Sequence, residues 1–453
     1  MQELIQKQRR FFDSGATLPV SFRIKQLKQL KKAIRTHEGL LYEAIAADFR
    51  KSKFETYATE LGLLYHEIDV AIDKVSQWAR RRRVPSNLLN FPAKSYLRPE
   101  PLGVSLVIGA WNYPYLLSLG PVIGAMAAGC TVILKPSELP SQTSAAMATM
   151  ISVSFAEEYV AVVEGGVPET TQLLEQRFDK IFFTGSTKVG KIIYQAAAKN
   201  LTPVTLELGG KSPAFVTADC NLKITVKRLV WGKFLNAGQT CISPDYVLVD
   251  RKIEKQFLEQ CVKEIEKEQF SLEHGNISQI INDRNLQRLR QLIDPGKVVH
   301  GGKVDAANRY IEPTLLAGID FEDTIMQEEI FGPLLPVIAY DNLDEAIGKV
   351  KTLEKPLSCY VFTRSARIKK QVMDGISFGG GMINDAVMHI TNSHLPFGGV
   401  GASGIGAYHG KTGFDTFSHQ KGVIEKKNWL ELPLKYFPHT PRKLWWIQRF
   451  FKF

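Results

Sequence analysis

Residues 101–134, PLGVSLVIGAWNYPYLLSLGPVIGAMAAGCTVIL, decide the fold of this chain, because the stretch contains no charged side chain. A bilayer crossing needs about 20 apolar residues, so a membrane-spanning helix is one interpretation. Glycine and proline, however, divide the stretch into pieces of strand and helix length, at Gly103, Gly109, Pro114, Gly120, Pro121, Gly124 and Gly129. The sequence therefore favours a buried strand, a turn, a buried helix and a second buried strand.

Short β-rich segments alternate with helix-length segments from this stretch onward. The first set covers 103–108, 131–134, 160–163, 180–183 and 204–207. A second set follows Gly209, with a helical pattern at 224–234 and strand patterns at 246–249, 334–340 and 358–362. Strands that alternate with helices form parallel sheets, whose ligands bind beyond the carboxyl ends of the strands. We therefore predict an α/β fold with two parallel-sheet lobes and a cleft between them.

Residues 1–80 precede the first strand and have a helical pattern. Leu27, Leu30 and Ile34 recur at helical intervals, with polar residues between them. Residues 90–100 lose this periodicity and indicate a connector or a projecting arm.

The formal net charge of +11 over 453 residues raises nucleic acid or an anionic membrane surface as a partner. Of this excess, +6 lies in residues 421–453, where eight Lys and Arg accompany two Glu. No zinc-finger, RNP-like or basic-zipper pattern accompanies the charge, so we expect no nucleic-acid partner. The arginine run at 80–83 favours a solvated helix end over a phosphate-binding patch, because cations stabilise a helix C-terminus.

The five cysteines are too few and too irregularly spaced for a disulfide framework or a zinc site. The first residues, MQELIQKQRRFF, carry charge where a signal peptide needs an apolar segment. Both observations favour a reducing compartment, and we expect a cytoplasmic location. His389 and His394 lie five residues apart with no further ligand at metal-binding spacing, so we predict no metal site there.

Three polar side chains stand at the ends of predicted elements and could carry chemistry. Cys241 lies in a loop, where backbone amides could lower its thiol pKa below about 8.5; the alternative is a buried, inert cysteine. Glu207 ends an apolar strand, where burial raises a carboxyl pKa toward the range of a general base; the alternative is an ion pair with Lys211. Asn112 follows the first strand and could donate to a developing oxyanion or simply form a turn.

Two further strand ends indicate a nucleotide. Lys135 and Glu138 close the strand at 131–134, and they either solvate the sheet edge or hold ribose hydroxyls. Gly185 and Ser186 lie in a strand-to-helix turn, where a pyrophosphate could approach backbone N–H groups. The turn does not have the G-x-G-x-x-G pattern, so a plain connecting turn is an equal alternative.

Seven motifs occur in order along the chain and together resemble the aldehyde dehydrogenase superfamily, over about residues 10–430. They are Trp111-Asn-Tyr-Pro, Lys135-Pro-Ser-Glu, Phe183-Thr-Gly-Ser, Leu206-Glu-Leu-Gly-Gly-Lys, Gly238-Gln-Thr-Cys, Glu329-Ile-Phe-Gly-Pro and Leu395-Pro-Phe-Gly-Gly. The short N-terminus, the segment Asn384-Asp-Ala-Val-Met-His and the basic tail are most similar to the class 3 branch, which acts on fatty or aromatic aldehydes.

This resemblance implies an oxidation of a long-chain aliphatic, isoprenoid or aromatic aldehyde to the carboxylic acid, with NAD or NADP as the cofactor. It implies that Cys241 is the nucleophile, that Asn112 and the Cys241 backbone N–H bind the oxyanion, and that Glu207 activates the water that hydrolyses a thioester. One alternative is an acylating enzyme that passes the thioester to coenzyme A, against which Glu207 argues. Another is a catalytically silent binding or structural protein on the same fold.

The resemblance also implies the cofactor and substrate contacts. Lys135 and Glu138 would hold the adenosine ribose, Gly185 and Ser186 would lie at the pyrophosphate, Glu329 and Phe331 would position the nicotinamide ribose and ring, and Tyr113 and Trp231 are candidates to line the substrate tunnel. Glu138 should repel a 2′-phosphate and favour NAD, although the resemblance implies that both cofactors are tolerated.

The implied domains are a modified Rossmann cofactor domain, a catalytic domain, a small oligomerisation arm and a tail. They cover 1–83 with 100–207, 208–400, 84–99 with 401–430, and 431–453. A homodimer built partly from the arm is expected.

The tail, 431–453, is basic and ends in an amphipathic pattern. At about 100° per residue, one side collects Leu444, Trp446, Ile447, Phe450, Phe451 and Phe453, and the other collects Arg442, Gln448, Arg449 and Lys452. Lys443 falls within the apolar side and Trp445 within the polar side. Such a helix suits a membrane interface, which would make the enzyme peripheral at the membrane face. The alternative is that the apolar side packs on a dimer partner or on the enzyme's own surface.

Overall fold

This computed structural model describes residues 1–451, the side chain of Phe450 excepted. Helices form most of residues 2–78, and strands and helices follow from residue 82 onward. The helices are α1 Gln2–Asp13, α2 Val20–Thr36, α3 Glu38–Phe49, α4 Lys53–Thr56, α5 Gly62–Trp78, α6 Pro114–Ala128, α7 Ser141–Ser154, α8 Val167–Leu174, α9 Thr187–Ala198, α10 Leu222–Phe234, α11 Glu254–Glu268, α12 Asp283–Gln291, α13 Leu343–Thr352, α14 Ala366–Gly375, α15 Gly410–Thr416 and α16 Pro441–Phe450. The strands are β1 Arg82–Val84, β2 Ala93–Pro101, β3 Val104–Ile108, β4 Thr131–Lys135, β5 Val160–Val162, β6 Lys180–Thr184, β7 Val204–Glu207, β8 Pro213–Val216, β9 Tyr246–Asp250, β10 Val298–His300, β11 Val304–Asp305, β12 Tyr310–Ile311, β13 Thr314–Leu316, β14 Leu334–Tyr340, β15 Ser358–Phe362, β16 Gly380–Ile383, β17 Gly404–Ile405 and β18 Ser418–Lys426.

The uncharged stretch 101–134 forms β3, α6 and β4, which confirms the predicted strand, turn, helix and strand. Every residue of these three elements is buried, which explains why the stretch needs no polar face. The helix ends at Gly129, whose φ of 98° is a left-handed conformation that glycine adopts without strain. Among the described residues, every helix is too short or too polar to cross a membrane.

Two large sheets form the lobes of the molecule. The first sheet has the strand order β17-β7-β6-β3-β4-β5, and its pairs are parallel except for β17 with β7. The second has the order β10-β13-β14-β9-β8-β15-β16, and its pairs are parallel except for β10 with β13. These sheets confirm the predicted α/β class with two parallel-sheet lobes.

A separate antiparallel sheet contains β1, β2 and β18. Residues 90–100, predicted as a connector or arm, are mostly the strand β2, which pairs with β18 along its whole length. The prediction that the arginines at 80–83 end a helix is wrong for Arg82 and Arg83. Helix α5 ends at Trp78, and these two arginines begin β1 because their backbone pairs with β2.

The chain passes between the two large sheets twice within residues 1–451. The first passage, 208–212, joins β7 of the first sheet to β8 of the second. The second passage, 384–403, returns from β16 to β17. Strand β17 pairs antiparallel with β7, and Gly404 lies opposite Glu207. The end of β7 is therefore held between a parallel neighbour and the returning strand.

Candidate active site

A left-handed turn after α10 presents Cys241. Asn236 and Gly238 have positive φ angles, of 53° and 69°. A Cβ on Gly238 would clash with the Gly332 carbonyl oxygen, so this turn requires glycine. The buried Asn236 supports the turn by donating from Nδ2 to the Asn112 carbonyl oxygen at 2.8 Å.

The thiol of Cys241 does not have the lowered pKa that its loop position predicts. Burial raises the pKa of Cys241 to about 12, and the carboxyl groups of Glu329 and Glu207 add to this effect. The backbone N–H groups of Cys241 and Ile242 act in the expected direction, but they are outweighed. The resting group is therefore a protonated thiol, which must lose its proton before the sulfur can attack.

Asn112 lies beside the same turn. Its side chain is buried, and Nδ2 donates to the Gln239 carbonyl oxygen at 3.0 Å, two residues before Cys241. Its backbone carbonyl oxygen accepts the bond from Asn236. The Asn112 amide is thus fixed against the cysteine loop by hydrogen bonds at both its side chain and its backbone.

Glu207 ends β7 as a buried carboxyl group, 2% exposed. Neither carboxyl oxygen has a hydrogen-bond partner among residues 1–451, and burial raises the pKa of Glu207 well above its ordinary value. The predicted alternative, an ion pair with Lys211, is wrong. Lys211 instead places Nζ 2.5 Å from Asp245 Oδ2 and donates to the carbonyl oxygens of Ile325 and Glu328. A raised pKa is what a general base needs to accept a proton near neutral pH.

Lys135 and Glu138 lie at the end of β4. The buried Lys135 ammonium donates to the Pro136 carbonyl oxygen at 2.7 Å and lies 3.8 Å from Glu138 Oε2. Burial lowers the pKa of Lys135, whereas the Glu138 side chain is about half exposed. The two residues therefore bring a cation and an accessible carboxylate to the same strand end.

Gly185 and Ser186 lie at the end of the neighbouring strand β6. The Gly185 N–H donates to the Glu207 carbonyl oxygen at 3.0 Å, and Ser186 caps α9 by accepting from the Val189 N–H at 3.4 Å. A Cβ on Gly185 would lie 2.6 Å from the Phe183 ring, so the turn requires glycine at this position. The positive end of α9 therefore meets the sheet edge where an anion could approach.

Glu329 and Phe331 belong to the second lobe and lie beside the strand ends of the first lobe. The Glu329 carboxylate lies over Gly209, where a Cβ would clash with Oε2. Burial, with a contribution from Asp245, raises the pKa of Glu329 to about 8. The Phe331 ring packs edge-on against Trp111, with 5.2 Å between the ring centroids.

A cavity of about 830 Å³ opens at Cys241. Tyr113 is buried in its wall, and its hydroxyl shares a hydrogen bond of 2.6 Å with Thr240 Oγ1. Trp231 also lines the cavity and is 42% exposed. Further apolar side chains of the wall are Leu116, Leu117, Phe234, Ile242, Phe270, Val387, Met388 and Ile390. Both residues expected in the substrate tunnel therefore share one cavity with the cysteine.

Some residues of the site were missed by sequence reasoning. Gln239 donates to the Gln279 carbonyl oxygen and accepts from the Ile281 N–H, which ties the cysteine loop to residues 279–281 of the same lobe. Its place in the Gly-Gln-Thr-Cys motif was the available signal. Lys51 and Glu60 form a buried ion pair near the cavity. Their sequence context, a polar helical segment, gave no signal.

The two histidines considered for a metal lie in different environments. His389 is partly buried, with Nε2 3.4 Å from Ser358 Oγ and its ring stacked on Phe397, and burial lowers its pKa to about 4. His394 is exposed. Throughout the part of the chain that the structure describes, no group of three or more His, Cys, Asp or Glu residues is placed to hold a metal ion.

Comparison with known proteins gives one consistent family. A family model described as "Aldehyde dehydrogenase family" matches residues 1–423. The "Aldehyde dehydrogenase, dimeric NADP-preferring" of Rattus norvegicus is 44% identical, over 98% of this chain and 99% of that protein. The "4,4'-diaponeurosporen-aldehyde dehydrogenase" of Staphylococcus aureus is also 44% identical, over 98% of this chain and 97% of that protein.

A solved structure agrees with these relatives. The substrate-bound state of Staphylococcus aureus AldH matches with a TM-score of 0.97 and 43% sequence identity, and the match covers 99% of both chains. The fold and family expected from the seven motifs are thereby confirmed. The chain belongs to the aldehyde dehydrogenase family and is an NAD(P)-dependent enzyme that oxidises aldehydes.

Proposed function

We propose that this enzyme oxidises long apolar aldehydes to carboxylic acids, with Cys241 as the nucleophile, Asn112 as the oxyanion donor and Glu207 as the base. One observation carries the proposal. A largely apolar cavity of about 830 Å³ opens at Cys241. The buried carboxyl group of Glu207 contributes to the raised pKa of this thiol, and its oxygens have no hydrogen-bond partner in the described chain. The substrate class is a long-chain aliphatic, isoprenoid or aromatic aldehyde, in keeping with the apolar wall and with the aldehyde in the name of the Staphylococcus aureus relative.

The strand ends fit a nicotinamide dinucleotide. Gly185 and Gly209 support this fit, because a Cβ at either position would clash with a neighbouring side chain. Without a side chain, the backbone of Gly185 can be approached beside the start of α9, and that of Gly209 lies directly beside Glu329. We assign Lys135 and Glu138 to the adenosine ribose, Gly185 and Ser186 to the pyrophosphate, and Glu329 and Phe331 to the nicotinamide ribose and ring. When bound, the cofactor accepts a hydride from the aldehyde carbon. The proximity of Lys135 to the Glu138 carboxylate is consistent with use of either NAD or NADP.

In the first chemical step the Cys241 sulfur bonds to the aldehyde carbon, while the S–H bond breaks and its proton passes to solvent at the open cavity. Negative charge then develops on the aldehyde oxygen, where Asn112 Nδ2 and the Cys241 backbone N–H donate. One such donor is worth about 10²–10³ in rate. Covalent capture also holds the carbon in a fixed position for hydride loss, which leaves a thioester on the sulfur.

The second step is hydrolysis of that thioester. Glu207 removes a proton from water, the water oxygen bonds to the acyl carbon, and the C–S bond breaks to give the carboxylic acid and the regenerated cysteine. General base catalysis of this kind contributes about 10²–10⁴ in rate. Transfer of the acyl group to coenzyme A is disfavoured, since a buried carboxyl group stands ready to activate water.

Stopped-flow kinetics tests these roles. Glu207→Gln should keep a burst of reduced cofactor while steady-state turnover falls by about 10²–10⁴. Loss of the burst together with turnover would contradict the assignment of Glu207 to deacylation. Cys241→Ala should abolish both phases, and undiminished turnover would place the nucleophile elsewhere. Cys220→Ala, at a partly exposed cysteine without an assigned role, is the matched control.

A chain-length series of aldehydes tests the substrate class. Each buried CH₂ group contributes about 0.8 kcal/mol, so kcat/KM should rise roughly fourfold per added methylene until the cavity is filled. Rates that stay flat from short to long aldehydes would contradict the proposal. The series run with NAD and with NADP also gives the cofactor preference.

We further propose that the chain divides into the domains given by the motifs and forms a homodimer through the sheet of β1, β2 and β18. The Rattus norvegicus relative is named as dimeric. Apolar side chains are exposed on and beside this sheet, at Leu88, Phe91, Ile424 and Trp429. Ile424→Lys should shift the sedimentation coefficient toward that of a monomer, and an unchanged coefficient would exclude this surface.

We propose that the tail attaches a cytoplasmic enzyme to the surface of a membrane. Helix α16 exposes Leu444, Trp445 and Trp446 together with the basic Arg442 and Arg449. This combination suits the boundary between lipid headgroups and acyl chains. The side chain of Phe450 and the residues Lys452 and Phe453, which belong to the predicted faces, lie outside the described residues.

A further inference from the structure

A buried ion pair lies next to the substrate cavity. Lys51 Nζ is 2.8 Å from Glu60 Oε1, and both side chains are fully excluded from solvent. No other ion pair within residues 1–451 has both side chains fully excluded. Because two charges lose their hydration here, the pair is weak evidence for stability by itself, and its other contacts matter.

The second oxygen of Glu60 holds the start of α6. Glu60 Oε2 accepts from the Tyr115 N–H at 2.8 Å and from the Leu116 N–H at 3.3 Å. The N–H groups in the first turn of a helix have no partner within the helix, and an anion at this end is favourable. This turn begins two residues after Asn112, so Glu60 anchors the backbone that carries the oxyanion donor.

Lys51 contacts the same segment at Tyr113. Its Nζ lies 4.1 Å from the centroid of the Tyr113 ring, a cation–π contact. The Tyr113 hydroxyl bonds to Thr240 Oγ1 at 2.6 Å, and Thr240 is the residue before Cys241. The neighbouring carboxyl group of Glu55 is also buried, and burial raises its pKa. Glu60 is the carboxyl group that lies within ion-pair distance of the lysine.

We propose that Lys51 and Glu60 are positioning residues for acylation, which set the distance between the sulfur of Cys241 and the amide of Asn112. Glu60 fixes Asn112 through the first turn of α6, and Lys51 fixes the cysteine loop through Tyr113. The inference rests on the proposed roles of Cys241 and Asn112. It adds two residues that touch neither the aldehyde nor the cofactor.

Lys51→Met tests the lysine. The burst of reduced cofactor should slow by about 10- to 100-fold, because a displacement of about 1 Å at a reacting group can cost that much. The Kd of the cofactor, measured by quenching of tryptophan fluorescence, should stay unchanged. The alkylation rate of Cys241 by iodoacetamide should change relative to Cys220 in the same molecule. The matched control is Lys31→Met, which removes an exposed ion pair with Asp69 and should leave all three measurements unchanged.

The double variant Lys51→Met with Glu60→Gln separates positioning from stability. Glu60→Gln alone should lower the melting temperature, because it leaves the buried lysine without its anion. The double variant removes both charges and should regain much of that melting temperature, while its burst stays slow. A burst at the wild-type rate in the double variant would overturn the proposal, and so would its failure to fold, which would make the pair structural.

The same experiments keep the two proposals apart. If Cys241→Ala still turns over, the assignment of the nucleophile fails. If Cys241→Ala is inactive and the double variant acylates at the wild-type rate, only the positioning role fails. Tyr113→Phe, which keeps the ring under Lys51 but loses the bond to Thr240, should slow the burst as well.

Discussion

Burial and two neighbouring acids control the reactive sulfur of Cys241. Burial and the carboxyl groups of Glu329 and Glu207 raise the pKa of its thiol to about 12. The enzyme therefore holds a poorly reactive thiol at neutral pH. This state protects the cysteine from adventitious alkylation and oxidation, since the thiolate is the reactive form.

Alkylation kinetics should reveal this protected state. The rate of Cys241 modification by iodoacetamide in the free enzyme should rise about tenfold per pH unit from pH 7 to pH 10, because the thiolate fraction grows throughout this range. Glu329→Gln should speed the reaction at pH 9, since it removes a nearby negative charge. Mass spectrometry after quenching measures both effects, and a plateau near pH 8 would show that the thiol pKa is not raised.

Glu207 should make stability depend on pH. Its folded-state pKa lies above the unfolded value of about 4.3, so the native state binds the proton more tightly between the two values. This stabilisation is fully present below the unfolded pKa and is lost as pH rises through the folded pKa, at about 1.4 kcal/mol for each pH unit between the two pKa values. Glu207→Gln should therefore melt at a higher temperature than the wild type, by a margin that grows above pH 5. Calorimetry from pH 5 to pH 9 measures the margin, and a constant value would contradict the prediction.

Some site residues were predictable one at a time and others were not. Cys241, Glu207 and Asn112 each end an element within a motif, so their sequence neighbours point to them. Lys51 and Glu60 resemble ordinary helix charges in the sequence, because their burial depends on α6 packing over them. The thiol pKa was predicted in the wrong direction because burial, with a further contribution from two acids in distant parts of the chain, outweighs the backbone N–H groups.

At the scale of elements, glycines fix how closely the lobes approach. Gly209 follows β7 and lies beneath the Glu329 carboxylate, where a Cβ would clash. Gly209→Ala should push Glu329 away and cost about 1.5–3 kcal/mol of cofactor binding, roughly a 10- to 100-fold rise in Kd, as for loss of a hydrogen bond to a charged group. Fluorescence titration of the cofactor measures this change.

The matched control for Gly209→Ala lies on α13. Gly348 has open space at its Cβ position, so Gly348→Ala should leave cofactor binding unchanged and stabilise the helix by about 0.5–1 kcal/mol. Equal Kd values for the two variants would mean that Glu329 does not contact the cofactor.

Long apolar elements could be predicted from the sequence, and short ones could not. The strands β14 and β15 begin and end at the predicted residues, because each is a continuous apolar run bounded by turn residues. The strands β11 and β12 have two residues each and pair only with one another, so no periodicity could reveal them. Arg82 and Arg83 form a strand because β2 lies alongside, a neighbour that composition does not show.

At the scale of the whole molecule, the tail should decide where the enzyme is found. Full-length protein should float with vesicles containing phosphatidylserine at low salt, because α16 combines exposed tryptophans with basic residues. Truncation after Pro438 should weaken flotation. Replacement of Arg442 and Arg449 by Gln should reduce the preference for anionic lipid while keeping the apolar side. Equal flotation of full-length and truncated protein would rule out the tail as an anchor.

The double passage of the chain between its two sheets limits how the lobes can move. With two covalent links, at 208–212 and at 384–403, the lobes can rotate about the line that joins the links, as about a hinge, and other relative motions are restricted. Glu207 ends its strand beside the first link, close to that axis. Such a rotation displaces points near its axis least, so the cavity can open for product escape while the Glu207 carboxyl group moves little. The lobes can therefore exchange ligands without displacing the Glu207 carboxyl group from its place beside β17.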